Sequence, residues 1–158
     1  MSSVDELGLI SIRLALQDLN ARFNYTLDHD LIDELVDLFT EDAVYTHGER
    51  RSAGRAAIRA LFAARRAAGT RTTRHMSADL LLKIDSASSA SGHSVCMTFA
   101  ADSAPPVSPA TPYLVADFED QYRLCSDGRW RFAVRHIRRI FTATGNPGPV
   151  GARSGAPS

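Results

Sequence analysis

The stretch YTLDHDLIDELVDLFTEDAVYTH, residues 25–47, decides the fold of this 158-residue chain. Its pattern ends one helix, fills a second short helix and then enters a strand, so Asp28 lies at a junction between helices. Asp28 or Asp30 can cap the second helix, because a short side-chain oxygen accepts hydrogen bonds from the free N–H groups at a helix start. The spacing predicts a buried face made of Leu31, Leu35, Leu38 and Phe39. The stretch therefore predicts a helix–helix–strand unit.

Further helices are predicted on both sides of this unit. Residues 5 to about 27 carry apolar side chains three and four apart, which is one stripe of an amphipathic helix. Residues 43–47 predict a short strand that can pair with residues 49–52, and Gly54 opens a third helix. Its arginines are expected to face outward, and its inward face is expected to carry Ile58, Leu61 and Phe62.

The second half of the chain alternates as strands do. Strands are predicted over residues 71–84, 93–101, 113–124 and 129–142. In the second of these, the alternating apolar side chains are Val95, Met97 and Phe99. Residues 86–92 predict a turn, and the proline-rich residues 102–112 predict a surface loop at a pocket mouth. Helices followed by a meander of strands indicate an α+β fold, with helices packed on one face of a curved antiparallel sheet.

Composition limits the partners and the compartment. Lysine plus arginine number 18 and aspartate plus glutamate number 18, so net charge favours neither nucleic acid nor a membrane surface. Cys96 and Cys125 stand apart, which is typical of reduced thiols in a cytoplasmic protein, and the five histidines lack the short spacings of a metal site. The N-terminus has no secretory pattern, and no apolar run reaches the roughly 20 residues that span a bilayer. We expect one domain over residues 1–144 and a flexible Gly/Pro/Ser-rich tail over residues 145–158.

Several motifs occur in the order typical of one known family. They are Asp28, Leu38-Phe39-Thr-Glu-Asp42-Ala-Val-Tyr45, Gly54-Arg-Ala-Ala-Ile58, His75 and Trp130-Arg-Phe132. Over roughly residues 5–142 the chain resembles the SnoaL-like members of the NTF2-like superfamily. The resemblance implies a cone-shaped, cystatin-like fold with three N-terminal helices on a curved antiparallel sheet. It does not choose a function, because this fold carries dehydratases, isomerases, polyketide cyclases, epoxide hydrolases and non-catalytic subunits.

Within the superfamily, the chain is most similar to the branch of scytalone dehydratase, bile-acid dehydratase and hexachlorocyclohexane dehydrochlorinase. That branch uses an Asp–His pair, and the resemblance implies that Asp28 and His75 are the catalytic pair here. Three departures are visible. The stretch 97–100 lacks the second histidine of scytalone dehydratase, His47 replaces a pocket tyrosine of the dehydratases, and Phe23 replaces a lysine of the dehydrochlorinase.

The chemistry expected of this pair is proton transfer. A histidine can remove a proton near neutral pH when a carboxylate fixes its tautomer and stabilises the imidazolium. The side chains that could assist a leaving group are Tyr25, Tyr45, His47, His136 and Arg138. Period-two alternation places Trp130, His136 and Arg138 on one strand face, where they would face the cone together. Three structural interpretations stay open: Asp28 as a helix cap, His75 at the wet end of its strand, and Arg138 on the surface.

The sequence thus indicates a small cofactor-independent lyase or isomerase, of dehydratase type, that acts on a hydrophobic ring-containing metabolite. The alternative is a non-catalytic domain that binds a small ligand or stabilises a partner subunit. An epoxide hydrolase would need a second inward acid, and Asp117 and Glu119 are expected on the outer face. A sheet covered on one face only predicts a homodimer or homotrimer. Its interface is expected to contain Val115, Ala133, Ile137 and Phe141.

Overall fold

The computed structural model describes residues 4–143, and the predicted tail over 145–158 lies outside this range. The helices are α1 (Glu6–Asp28), α2 (Ile32–Asp37) and α3 (Arg55–Ala67). The strands are β1 (Phe39–His47), β2 (Arg50–Ala53), β3 (Thr72–Ile84), β4 (Ser89–Ala101), β5 (Leu114–Leu124) and β6 (Trp130–Thr142).

The six strands form one sheet in the order β2-β1-β6-β5-β4-β3. All neighbouring strands are antiparallel except β1 and β6, which run parallel and are separated along the chain by α3 and four strands. The three helices pack on one face of this sheet. The predicted α+β, cystatin-like fold is confirmed.

Aromatic side chains fill the space between helix α1 and the sheet. The ring of Phe23 lies edge-on to Phe39, Phe118 and Phe132, with centroids 6.0, 6.5 and 5.8 Å away. Edge-to-face pairs of this kind add about 0.5–1.5 kcal/mol beyond the area they bury. The aromatic cluster therefore anchors α1 across the middle of the sheet.

The junction between the first two helices differs from the sequence expectation. Helix α2 has Leu31 as its N-cap and receives no side-chain cap, so neither Asp28 nor Asp30 has the predicted capping role. Asp28 is the last residue of α1, and the carboxylate of Asp30 pairs with Arg65 at 2.9 Å. Strand β1 begins at Phe39, four residues before the predicted start, because Phe39 pairs with Phe132 of β6.

Strand β4 begins at Ser89, inside the segment predicted to form a turn. The alternating apolar side chains of this strand point away from the helices. Its buried side chains in the middle of the strand are Ser94, Cys96 and Thr98. Val95, Met97 and Phe99 therefore lie on the face of the sheet that no helix covers, and Met97 is 36% exposed.

Two bulges in β6 break its period-two alternation. The pairing of Phe132 with Tyr122 is followed by the pairing of Val134 with Gln121, which leaves Ala133 as an extra residue. Such a bulge moves every later side chain to the opposite face. After Ala133 the inward positions of β6 are therefore Arg135, Ile137 and Arg139. A second bulge at Ile140 turns Phe141 outward.

Candidate active site

Asp28 and His75 lie in direct contact where helix α1 ends against strand β3. The Nδ1 of His75 donates to Oδ1 of Asp28 at 2.6 Å, and the backbone N–H of His75 donates to Oδ2 at 2.9 Å. The hydroxyl of Thr73, on the same face of β3, donates to Oδ1 at 2.8 Å. The side chains of Asp28 and His75 are only 5% and 13% exposed. The carboxylate is thus fixed by three hydrogen bonds from one strand.

These contacts set the charge of Asp28. Burial would raise the pKa of its carboxyl, but the hydrogen bonds and charge of His75 and the hydroxyl of Thr73 outweigh burial. The pKa of Asp28 is therefore held below its ordinary value, and the group is ionised at neutral pH. A carboxylate at Nδ1 selects the neutral tautomer that carries its proton on Nδ1. Nε2 of His75 is then the nitrogen with a free lone pair.

His75 lines a cavity of about 100 Å³ between the helices and the sheet. A dry cavity of roughly 150 Å³ accepts a benzene ring, so this space matches part of a single-ring molecule. Its apolar walls come from α1, α3 and the sheet, namely Phe23, Leu27, Leu61, Phe62, Leu114, Phe118 and Ile137. Its polar walls come from Tyr45, His47, Arg50, Arg65, Arg71, Thr73, Thr98, Tyr113 and Arg139, together with His75.

Tyr45 and His47 project from the same face of β1 into this cavity. Burial raises the pKa of the Tyr45 hydroxyl to about 12, so it stays protonated. Burial, followed by the charges of Arg139, Arg50 and His75, lowers the pKa of His47 to about 4. Nε2 of His47 accepts a hydrogen bond from Nε of Arg139 at 3.4 Å. At neutral pH the wall at β1 therefore offers two uncharged hydrogen-bond donors, the Tyr45 hydroxyl and the His47 Nδ1–H.

The structure brings together five of the nine residues that the sequence singles out. Phe23, Tyr45 and His47 line the same cavity as His75, and Asp28 lies behind His75. The remaining four lie elsewhere, and they are Tyr25, Trp130, His136 and Arg138.

Each of the four has a different partner and a physical reason for its position. Tyr25 is 59% exposed on α1 and stacks on His29 at a centroid distance of 4.2 Å. Trp130 precedes the bulge at Ala133 and packs against the core without lining the cavity. The same bulge turns the two later residues outward. His136 then bonds to the hydroxyl of Thr46, and Arg138 pairs with Asp117 at 2.6 Å.

Two sets of inward charges were missed in the sequence. Arg65 of α3 faces the cavity, although the arginines of that helix were expected outside. Its spacing of three and seven from Phe62 and Ile58 is the signal that could have revealed it. Asp120 and Arg135 are 3% and 1% exposed and form a buried ion pair at 2.7 Å. Asp120 alternates with Phe118 and Tyr122, and that alternation predicts the inward position.

Residues 4–143 contain neither a cluster of metal ligands nor a helix suited to crossing a membrane. No group of three His, Cys, Asp or Glu side chains there could hold a metal ion. No helix in that part of the chain combines the length and the apolar composition that crossing a bilayer requires.

Comparison with known proteins gives a family and a fold. The family model described as the SnoaL-like domain matches residues 9–136. No curated protein matches the chain. Among solved structures, a putative scytalone dehydratase from Novosphingobium aromaticivorans superposes with a TM-score of 0.74 at 23% identity, covering 92% of this chain and 97% of that chain.

Two other solved structures give the same result. LinA superposes with a TM-score of 0.72 at 21% identity, over 97% of this chain and 99% of its own. A protein from Catenulispora acidiphila, solved in complex with S-DNPA, superposes with a TM-score of 0.71 at 23% identity, over 82% of this chain and 94% of its own. At these identities the likeness is one of fold.

Proposed function

The chain belongs to the SnoaL-like domain family, and from that premise we propose that it is a lyase or isomerase, of dehydratase type, acting on a small ring-containing metabolite. The observation that carries this proposal is the hydrogen bond of 2.6 Å between Asp28 and His75 at the wall of an apolar cavity. A base positioned in this way contributes about 10²–10⁴-fold to a proton-transfer reaction.

Each residue has a defined role in an elimination. Nε2 of His75 takes a proton from the carbon next to an electron-withdrawing group, and the C–H electron pair forms the new double bond. The C–O bond at the neighbouring carbon breaks, and the departing hydroxide takes the proton that His75 has accepted and leaves as water. Asp28 stabilises the imidazolium that forms, and it keeps the ring in one orientation. The proton that His75 accepts balances the proton that the hydroxide gains.

Donors for the leaving oxygen are expected on β1. At neutral pH the Tyr45 hydroxyl and the His47 ring are both uncharged, and each carries a hydrogen that can be donated to the leaving oxygen. Donors already aimed at developing negative charge in a water-poor site stabilise the transition state more than they would in water. We assign them to the leaving group because they line the cavity together with the base.

A dehydration screen tests the proposal. Single-ring β-hydroxy ketones and β-hydroxy acids are incubated with the protein, and the conjugated product is followed by its ultraviolet absorbance. We expect turnover of at least one compound and a loss of kcat/KM of about 10²–10⁴-fold in His75→Ala. The matched control is His93→Ala, which removes an imidazole that is 46% exposed and does not line the cavity. Equal activity of His75→Ala and wild type would contradict the assigned base.

The small size of the cavity favours one alternative, a non-catalytic domain that stabilises a partner subunit or binds a ligand smaller than a substituted ring. Ligand sites usually enclose about 300–1,000 Å³, whereas this cavity measures about 100 Å³. Proton exchange separates the two functions. A catalytic His75 exchanges the acidic carbon-bound hydrogens of a bound cyclic ketone with D₂O, and NMR detects that exchange even without elimination. A ligand-binding domain would bind the ketone without accelerating exchange.

A further inference from the structure

The charges that line the cavity are unbalanced. Arg50, Arg65, Arg71 and Arg139 all contribute to its walls, and among residues 4–143 no aspartate or glutamate lines it. Two of the four arginines are neutralised just outside the cavity. Arg65 pairs with Asp30 at 2.9 Å, and Arg71 pairs with Asp102 at 2.8 Å.

Arg139 differs from Arg65 and Arg71. Its described hydrogen bond goes from Nε to the neutral ring of His47, and within residues 4–143 no carboxylate lies within ion-pair distance of its guanidinium. Its two terminal nitrogens make no hydrogen bond to any residue in that range. A half-buried guanidinium with an open planar fork is the arrangement that binds a carboxylate through two parallel hydrogen bonds.

A second cation lies close to the same place. Strand β1 runs between β2 and β6, and His47 pairs with Arg50 on one side and with Ile137, two residues before Arg139, on the other. Arg50 and Arg139 therefore flank His47 from neighbouring strands, and both also line the cavity. The charges of both arginines lower the pKa of His47, which shows that their fields overlap at this wall.

We propose that Arg139, supported by Arg50, binds a carboxylate of the substrate, so that the substrate is a ring-containing organic acid. This inference rests on the proposed function and names the class of its substrate. The ring would lie against the apolar walls of the cavity, among them Phe62 and Ile137, and the carboxylate would lie against the wall at His47. A monoanion matches this site because the guanidinium of Arg139 lacks a carboxylate partner among residues 4–143. The arginine contact would also exclude neutral analogues of the same shape.

Binding of benzoate and benzamide tests the inference without any turnover. The two molecules have nearly the same size, and they differ in the charge of the group that would contact Arg139. We expect wild type to bind benzoate more tightly than benzamide, and Arg139→Gln to bind benzoate about tenfold or more weakly, because a charge-assisted pair is lost. Benzamide affinity should stay unchanged, and NMR titration measures both dissociation constants.

The neighbouring residue provides a matched control. Arg138→Gln removes the same charge from the same strand, but its side chain lies on the outer face and pairs with Asp117. It should retain the full preference for benzoate. Arg50→Gln, on a different strand, is an independent test of the same wall and remains informative if Arg139→Gln does not fold. We expect Arg50→Gln to weaken the binding of benzoate several-fold.

Three results would overturn the inference: equal affinities of wild type for the two probes, a preference that survives in Arg139→Gln, or an equal loss in Arg138→Gln. The last result would mean that the field of the whole protein, and not a site, attracts the anion. Failure here is separable from failure of the lyase proposal. Neither probe reacts, so the affinities do not depend on whether His75 turns over a substrate. A dehydratase with no preference for benzoate would keep the proposed function and lose only the acid substrate.

Discussion

At the residue scale, the carboxylate of Asp28 performs two tasks with the same contacts. It accepts the Nδ1–H of His75, which orients the ring, and it accepts the backbone N–H of the same residue, which joins the end of α1 to β3. Its lowered pKa is the electrostatic consequence of these hydrogen bonds. The group that orients the base therefore also contributes to folding stability, in a way that depends on pH.

Asp28→Asn is expected to destabilise the protein at neutral pH and to lose this effect in acid. A carboxyl whose pKa is lowered on folding stabilises the native state above its unfolded pKa of about 3.8 and loses that contribution as pH falls through the folded value. The difference in the free energy of unfolding between wild type and variant should thus shrink below pH 4. Urea unfolding across the acid range measures it. His47 titrates in both proteins, so its contribution cancels.

The matched control for this prediction lies on the same helix. Asp18 pairs with Arg22 on the exposed face of α1, so Asp18→Asn should change stability by about 0.5 kcal/mol or less. If the difference in unfolding free energy between wild type and Asp28→Asn stays constant across the acid range, the carboxylate is not coupled to His75 as the contacts indicate.

A second prediction at this scale concerns the pKa of His47. Burial is the larger cause of its value of about 4, and the charge of Arg139 is the next. Removing that charge in Arg139→Gln should raise the pKa, yet leave it below 6.5, because burial remains. NMR titration of the His47 ring protons measures the shift. Arg138→Gln should leave the value where it is, and a His47 pKa insensitive to both changes would contradict the contact with Arg139.

At the element scale, strand β6 shows what the sequence could and could not predict. Its extent and its hairpin with β5 agree with the patterns of the chain. Its parallel pairing with β1 was not predicted from the sequence. The face of its second half could not be predicted, because the bulge at Ala133 has no marker such as glycine or proline. One extra residue exchanges His136 and Arg138 for Ile137 and Arg139 in the cavity. The contact between Asp28 and His75, in contrast, does not depend on β6, because it joins the end of α1 to β3.

The third prediction concerns the buried ion pair on the inward face of β5 and β6. Asp120 pairs with Arg135 in the core, and the guanidinium lies between the rings of Phe23, Phe118 and Phe132, with its carbon 4.2, 4.8 and 3.9 Å from their centroids. Asp120→Ala leaves that cation buried and unpaired, which should cost about 3–5 kcal/mol of unfolding free energy. Denaturant unfolding measures the loss.

The same two strands supply the control for the buried pair. Asp117 and Arg138 are also cross-strand partners, but they lie on the outer face and Arg138 is 60% exposed. Asp117→Ala should cost less than about 1 kcal/mol. The double variant Asp120→Leu with Arg135→Met should recover much of the loss, because an apolar pair needs no desolvation. Similar costs for the two single aspartate variants would refute the assignment of a desolvated pair.

At the scale of the whole molecule, the helices cover one face of the sheet and leave the other open. The cavity could not be located from the sequence, because its walls come from segments that only the folded cone brings together, such as Arg65 of α3 and Arg139 of β6. The open face could be anticipated in part. Val115 and Phe141 lie on it as expected, whereas Ile137, an expected interface residue, is 3% exposed and lines the cavity.

The open face carries a continuous row of apolar side chains across four strands, which we call the outer apolar row. Met76 pairs with Met97, Met97 with Val115, and Val115 with Phe141, and the first, second and fourth are 59, 36 and 69% exposed. Contiguous exposed apolar surface of this kind marks an interaction site in a folded protein. We expect wild type to form a dimer or trimer through this row.

Introducing negative charge into the outer apolar row tests that expectation. Met97→Glu with Phe141→Glu should give a monomer in sedimentation velocity, because assembly would bury two carboxylates without partners. Leu7→Glu with Leu14→Glu is the matched control, since these side chains are 77 and 61% exposed on α1, away from the row. The control should sediment as wild type does. A monomeric wild type, or an oligomer that only the α1 variant dissociates, would contradict the expected interface. The cavity lies on the opposite side of the sheet, so the monomer should retain the benzoate preference, which would show that each cone carries its own complete site.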